Sequence, residues 1–149
     1  MTIPSEYRTA AEDFERFLGD ARDESGLATR NQVYTMVQGV FQVFRRRLEP
    51  REAVRFAGVL PPLLRALFVE DWDMDEPRRA FETRDAMTRE VQALRRDHNF
   101  APDTAIRDVA RALRRTPASR RGRCRPRRRA AKAPRTCPRG RGSARARAP

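Results

Sequence analysis

The sequence predicts an all-α protein: a small bundle of about six helices over residues 1–115, followed by a disordered, arginine-rich tail over residues 116–149. Three observations lead to this prediction. Apolar side chains recur at helical spacing through the first part of the chain, and no segment alternates with the period of two that a strand requires. After Leu113 the chain contains no Leu, Ile, Val, Met, Phe, Trp or Tyr.

The tail also carries the whole charge imbalance. The formal net charge is +13, and residues 116–149 contain no Asp or Glu, whereas acidic and basic residues balance over residues 1–115. A segment with so few apolar side chains cannot bury enough surface to offset the entropy that is lost on ordering. The sequence therefore predicts one folded domain, residues 1–115, and a disordered tail.

Two helices joined by a tight turn open the domain. Ser5 is the predicted N-cap of the first helix, and Gly26 ends it. Thr29 is the predicted N-cap of the second helix, and Gln32 stands three residues later, as in a capping box. Three arginines at 45–47 fall in the last turn of the second helix, where cations suit the helix dipole. This helix has a wide apolar stripe: Val33, Met36, Val37, Val40, Phe41, Phe44 and Leu48.

Prolines and a polar loop divide the rest of the domain. Pro50 fits the first turn of a third helix, which the Leu-Pro-Pro step at 60–62 ends. A short fourth helix follows, and a polar loop over residues 70–80 then contains the only tryptophan. The fifth helix is predicted over residues 84–97, and Pro102 is predicted to open the sixth. Their apolar side chains are Met87, Val91 and Leu94, then Ile106, Val109, Ala110 and Leu113.

The fifth and sixth helices repeat the pattern of the first two at an offset of 73 residues. The turn coincides as well, because Leu27-Ala28 corresponds to Phe100-Ala101. Apolar residues coincide in these pairs: Phe14 with Met87, Leu18 with Val91, Val33 with Ile106, Met36 with Val109, and Val40 with Leu113. We therefore predict a duplicated helical unit over residues 5–69 and 81–115, of which the second copy is incomplete.

The incomplete second copy has a genetic interpretation. Lys132 is the only lysine in an arginine-rich chain, a bias that is typical of GC-rich coding sequence. Such a gene read out of frame yields mainly Arg, Ala, Pro, Gly and Ser, which are the residues that dominate the tail. This composition favours a frameshift near Arg115 over the alternative, a basic tail that has been selected for its charge.

The repeat architecture resembles a bacterial family called domain of unknown function 2267, over about residues 5–115. The resemblance implies a compact helical fold, and it implies no established activity, catalytic residue or cofactor. The missing second Leu-Pro unit departs from the family pattern. The resemblance rests on residues 33–48, on Glu52-Ala53 before Phe56, on Leu60-Pro61, and on Asn99-Phe100-Ala101-Pro102 with residues 106–110.

An acidic loop between two predicted helices is a candidate cation site. Its carboxylates take the first, third, fifth and twelfth positions of a calcium-binding loop: Asp71, Asp73, Asp75 and Glu82. The sixth position is Glu76, however, where that turn requires glycine, and Arg78 and Arg79 supply opposing positive charge. A solvated acidic loop is therefore the favoured interpretation, and no metal or cofactor is predicted.

The remaining candidates for catalysis or metal binding are one histidine and two cysteines. The sequence pattern marks no partner residues for them. His98, the only histidine, has no nucleophile marked by a motif, so a catalytic triad is not indicated. One histidine and no cysteine before residue 116 do not make a zinc site. Cys124 and Cys137 lie in the tail without other ligands. The protein is therefore predicted not to be an enzyme.

Three features favour binding instead. An incomplete second unit would leave an apolar face of the fifth and sixth helices uncovered, available to a protein partner or to a second copy. Trp72 is a further candidate anchor, although packing on its own core is the favoured role. The tail arginines would bind nucleic-acid phosphates without sequence preference, since no aromatic residue stacks there. Those arginines are Arg120, Arg121, Arg123, Arg125, Arg127, Arg128 and Arg129.

A non-catalytic interaction or structural module is accordingly the favoured function. Non-specific nucleic-acid binding through the tail is the first alternative, and an enzyme with an unrecognised site is the second. No apolar run approaches the roughly 20 residues of a membrane span, and no signal peptide is visible at the N-terminus. The sequence thus predicts a cytoplasmic protein that does not enter a membrane.

Overall fold

The computed structural model describes residues 2–94 and 100–117 and contains only α-helices and connecting turns over those ranges. The prediction of an all-α fold is confirmed. Seven helices are present in the described part, one more than expected. They are α1 (Ser5–Arg8), α2 (Ala10–Ser25), α3 (Arg30–Arg45), α4 (Pro50–Val59), α5 (Pro62–Val69), α6 (Arg84–Ala93) and α7 (Ala105–Arg115).

The additional helix arises from a break at Thr9. The backbone of Thr9 leaves the helical region, at φ −101° and ψ 10°, and its hydroxyl donates a hydrogen bond of 3.2 Å to the carbonyl oxygen of Ser5. Threonine side chains compete in this way with continuous helical bonding. The prediction that Ser5 is an N-cap was wrong, because Ser5 is already helical and Pro4 holds the capping position.

The turn between α2 and α3 has the predicted caps. Gly26 adopts the left-handed conformation, at φ 69°, and its N–H donates to Arg22 O at 2.8 Å. The Thr29 hydroxyl accepts from the N–H of Gln32 at 3.3 Å, and the Gln32 side chain accepts from the N–H of Thr29 at 3.2 Å. Both halves of the capping box are therefore formed.

Prolines set the limits of α4 and α5 as expected. Pro50 is the first residue of α4, and the chain becomes extended at Leu60 before Pro62 begins α5. The last two helices are shorter than predicted, since α6 ends at Ala93 and residues 95–99 lie outside the described ranges. Pro102 does not open α7, because residues 102–104 form a turn in which Pro102 O accepts from the N–H of Ala105.

The core lies around α3, whose neighbours are α2, α5, α6 and α7. Helix α7 packs along α2, and α5 packs on both α2 and α3. Phe17, Phe41 and Phe68 are fully buried and are the largest side chains of this core. Ion pairs from Arg111 and Arg115 to Glu24 also link α7 to α2 at the surface. These contacts place one face of α7 against the core and leave the adjoining face at a groove.

Candidate functional site

An apolar groove of about 220 Å³ opens between α3, α4, α6 and α7. Its floor is formed by the C-terminal half of α3, where Val40, Phe41 and Val43 are buried. Its walls come from α4, α6 and α7, whose lining side chains are mostly half-buried. The complete lining is apolar: Val40, Phe41, Val43, Phe44, Phe56, Met87, Ile106, Val109, Ala110 and Leu113.

Aromatic rings form one wall of this groove. The rings of Phe44 and Phe56 meet edge to face, with centroids 5.1 Å apart. Phe81 packs against the outer side of Phe44 at 6.3 Å, although 58% of its surface is exposed. Edge-to-face pairs of this kind stabilise ring positions beyond the burial of area alone. The wall is thus held in place by its own contacts, and Phe81 extends it towards solvent.

The opposite wall is the exposed margin of α7. Positions 106, 110 and 113 lie on one side of this helix, and all three side chains are half-buried. Val109 is fully buried against the core, as is Val91 of α6. Two side chains of the apolar face that the sequence leaves uncovered on these helices, Val91 and Val109, are therefore covered inside the domain. What remains open is the strip that lines the groove.

The four candidate cation ligands of the acidic loop lie in the part of the chain that the structure describes. No three Asp, Glu, His or Cys side chains converge there at a spacing that would hold a metal ion. Asp73 Oδ1 instead accepts the N–H of Asp75 at 2.9 Å, and Asp71 has a left-handed backbone, at φ 49°. Candidate ligands Asp75 and Glu82 are both exposed. The loop is thus shaped by a hydrogen bond within it and by bonds from the arginines at the end of α3.

The arginines at the end of α3 have a larger role than the sequence indicates. The Arg45 guanidinium is almost fully buried and donates to three carbonyl oxygens, those of Phe68 at 2.8 Å, Glu70 at 2.6 Å and Asp71 at 3.0 Å. Burial lowers the pKa of Arg45 from its ordinary value, and the neighbouring charge of Arg46 lowers it further. Arg45 therefore ties the end of α5 to α3.

A second set of contacts joins Arg46 and Arg47 to α6 and to the loop after α5. Arg47, which is 4% exposed, donates to Glu90 Oε2 at 2.6 Å and to Val43 O at 2.6 Å. Arg79 donates to Glu90 Oε1 at 2.9 Å, and Arg46 donates to Glu76 Oε2 at 3.0 Å. One carboxylate thus joins the end of α3, the loop after α5 and helix α6. The guanidinium groups of these arginines bond to partners within the protein, and these bonds stabilise the fold.

Trp72 packs on the core of its own domain, which is the role that the sequence analysis favoured over that of a binding anchor. Its ring lies 6.3 Å from the ring of Phe68, and the Arg45 guanidinium lies 5.8 Å from the centroid of the tryptophan ring. The indole is half-buried. It therefore closes the outer end of the aromatic cluster at α5, on the loop side of Arg45.

Several residues singled out from the sequence lie outside the described ranges. These include His98, Cys124 and Cys137, and the predicted disordered tail as a whole beyond residue 117. The candidate nucleic-acid contacts lie there too: Arg120, Arg121, Arg123, Arg125, Arg127, Arg128 and Arg129. Within the described ranges, no helix has the length and apolar character required to cross a membrane.

Fold and site together define a small all-α protein whose helices enclose an apolar groove. A family model described as "Uncharacterized conserved protein (DUF2267)" matches residues 14–122. The chain belongs to this family, as the sequence resemblance predicted. A comparison with curated proteins found no significant match. The description of the family specifies no activity.

Proposed function

We propose that this protein is a non-catalytic interaction module that binds a segment of another protein in the apolar groove. The observation that carries this proposal is the groove itself, since its lining consists entirely of apolar side chains and it is open to solvent. Covering apolar surface is favourable by roughly 25 cal/mol per Å². A face of this kind is therefore a place where association is favoured.

The chemistry of the lining favours a protein segment over a small metabolite. Small-molecule sites usually combine an apolar pocket of roughly 300–1,000 Å³ with a few polar groups that fix the orientation of the ligand. The groove is smaller, at about 220 Å³, and its lining residues have apolar side chains throughout. Apolar side chains presented by a partner helix need no such polar groups, because the partner backbone satisfies its own hydrogen bonds.

The test is a capture experiment that compares the full chain with variants at one groove position. Ala110 faces the groove from α7, and Ala110→Glu places a charge there. Ala66 is exposed on α5 and lies outside the groove, so Ala66→Glu is the matched control. We expect proteins captured from the source cells to be lost with Ala110→Glu and retained with Ala66→Glu. Identical capture by both variants would refute the groove as the binding site.

A second candidate function rests on the charge of the sequence. Residues 116–149 hold the entire formal excess of +13, and cations of this density bind phosphate backbones through counterion release. This proposal predicts binding to DNA and RNA of any sequence that weakens steeply as salt is raised. Replacing the seven arginines between residues 120 and 129 by glutamine should remove most of that binding. Binding that is undiminished by this change would exclude these seven arginines as its source.

A further inference from the structure

A second apolar surface lies between α4 and α5, on a different side of α4 from the groove. We infer that two copies of this chain associate through this surface, as a two-fold symmetric dimer in which arginines on α4 of each copy face an acidic side chain after α5 of the other. This inference is independent of the proposed function, which concerns the groove between α3, α4, α6 and α7.

The surface is an open cleft of about 390 Å³, the α4–α5 cleft, which is lined by both helices and by Trp72. Phe56 lines the groove, whereas Val54 lines the α4–α5 cleft, two residues earlier and roughly 160° around the same helix. Arg65 also belongs to the lining, and its guanidinium donates to two carbonyl oxygens at the end of α4, both at 3.0 Å. Helix α4 therefore lies between two separate surfaces, and occupation of one leaves the other open.

The α4–α5 cleft combines projecting apolar side chains with empty space. Val54 is 68% exposed and Val69 is 44% exposed, and both line the cleft. The small residues Ala57 and Gly58 lie between them, and a Cβ added at Gly58 would meet no atom within 4 Å. The same patch thus offers both a side chain that can enter a neighbour and room to receive one. A two-fold interface requires this combination, because each copy uses the same patch.

The charges at the margins of the cleft are complementary to each other. Arg51 lies three residues before Val54 on the same side of α4, and Arg55 follows Arg51 by about one turn. Both arginines are exposed, and no acidic side chain within the described ranges pairs with either of them. On the other margin Asp71, next to Trp72, is also exposed. A two-fold rotation about the cleft brings the arginines of each copy towards Asp71 of the other, where opposite charges attract.

This arrangement of charge favours a second copy over a foreign partner. A cleft with margins of one sign would select a partner of the opposite sign. The α4–α5 cleft has cations on its α4 margin and an acid on its α5 margin, so the surface that matches it in both charge and apolar character is its own. Arg65 does not alter this balance at the margin, because its guanidinium is bonded to the end of α4.

The first experiment measures the mass of the full chain, purified free of nucleic acid, by sedimentation equilibrium over a range of protein concentrations. We expect a reversible dimer at roughly physiological salt. Val54→Ala should weaken dimerisation by on the order of tenfold or more, because each dimer loses this apolar contact twice. Since Val54 is exposed and alanine is the better helix former, this variant should remain folded.

The second experiment exchanges the charges at the two margins. Arg51→Glu combined with Arg55→Glu makes both margins acidic, and Asp71→Lys makes both basic, so each variant alone should dimerise at least about tenfold more weakly. An equimolar mixture of the two should recover the lost affinity as a heterodimer, because opposite charges then meet at both contacts. Arg84→Glu combined with Arg89→Glu makes the matched change of charge on α6 and should leave dimerisation unchanged. Circular dichroism establishes that each variant is folded.

Several results would overturn the inference. A chain that is monomeric at every concentration has no such interface. A dimer that is insensitive to Val54→Ala and to the two arginine changes is formed elsewhere, as is one that dissociates on Ala110→Leu, which fills the groove instead. Weakening by both charge variants without recovery on mixing would exclude the two-fold pairing. If Asp71→Lys does not fold, the Val54 and arginine variants still decide the location. Capture through the groove is tested at Ala110, so either proposal can fail without the other.

Discussion

Filling the groove from within should stabilise the protein. Ala110→Leu adds three carbon atoms to a half-buried side chain that lines a space of about 220 Å³. A methylene group that is fully removed from water contributes about 0.8 kcal/mol, so three contribute about 2.4 kcal/mol when fully buried. Because position 110 is only half-buried, about half of this is expected. The free energy of unfolding should therefore rise by about 1 kcal/mol.

Thermal and urea unfolding followed by circular dichroism measure this change. In a folded part of this size, 1 kcal/mol corresponds to a rise in Tm of about 4 °C. Helix propensity does not account for such a rise, since leucine is slightly less favourable than alanine in a helix. Ala66→Leu makes the same chemical change at an exposed position of α5 and should leave Tm within about 1 °C. A fall in Tm for Ala110→Leu would mean that the groove has no room for the added atoms and would refute the argument.

Three further predictions concern the contacts that hold the bundle together. Phe68→Ala should cost about 3–5 kcal/mol in urea unfolding, because Phe68 is 0% exposed, whereas Phe81→Ala at the surface should cost under about 1 kcal/mol. Glu90→Ala leaves the buried Arg47 without its carboxylate and should cost about 3 kcal/mol. Its combination with Arg47→Met should cost less than the sum of the two single changes, and additivity would contradict this pairing. Gly26→Ala should cost about 1 kcal/mol through backbone strain alone, since an added Cβ meets no atom within 4 Å, and an unchanged unfolding midpoint would contradict it.

The predictions that succeeded depended on signals within a few residues of each other. The caps at Gly26 and Thr29 and the proline at position 50 act on neighbouring residues. The local sequence pattern therefore predicts them. The break at Thr9 was missed because the apolar pattern continues through it, while the Thr9 hydroxyl bonds to the carbonyl of Ser5 at that point. A local pattern thus locates a helix better than it locates an interruption.

The candidate site was harder to predict from the sequence, because it depends on how segments that are distant in the sequence pack together. Arg45 bonds carbonyl groups that lie more than 20 residues further along the chain, and the sequence pattern suggested only an interaction with the helix dipole. An uncovered apolar face on the last two helices was expected, yet Val91 and Val109 of that face are buried. Only the packing of four helices determines which strip stays open. The duplication of the helical unit, with limits at 5–69 and 81–115, stays a prediction.

The reading frame of the gene connects the groove with the unusual composition after Arg115. If a frameshift lies there, another frame across codons 110–149 should encode apolar residues at helical spacing and end in a Leu-Pro step. At the offset of 73 residues, the counterpart of α5 (Pro62–Val69) falls at positions 135–142. Sequencing this stretch of the gene and translating it in all three forward frames tests the frameshift hypothesis. The absence of such a pattern from every frame would contradict it. In a protein with the restored frame, the missing helices of the second unit would follow α7, which forms one wall of the groove.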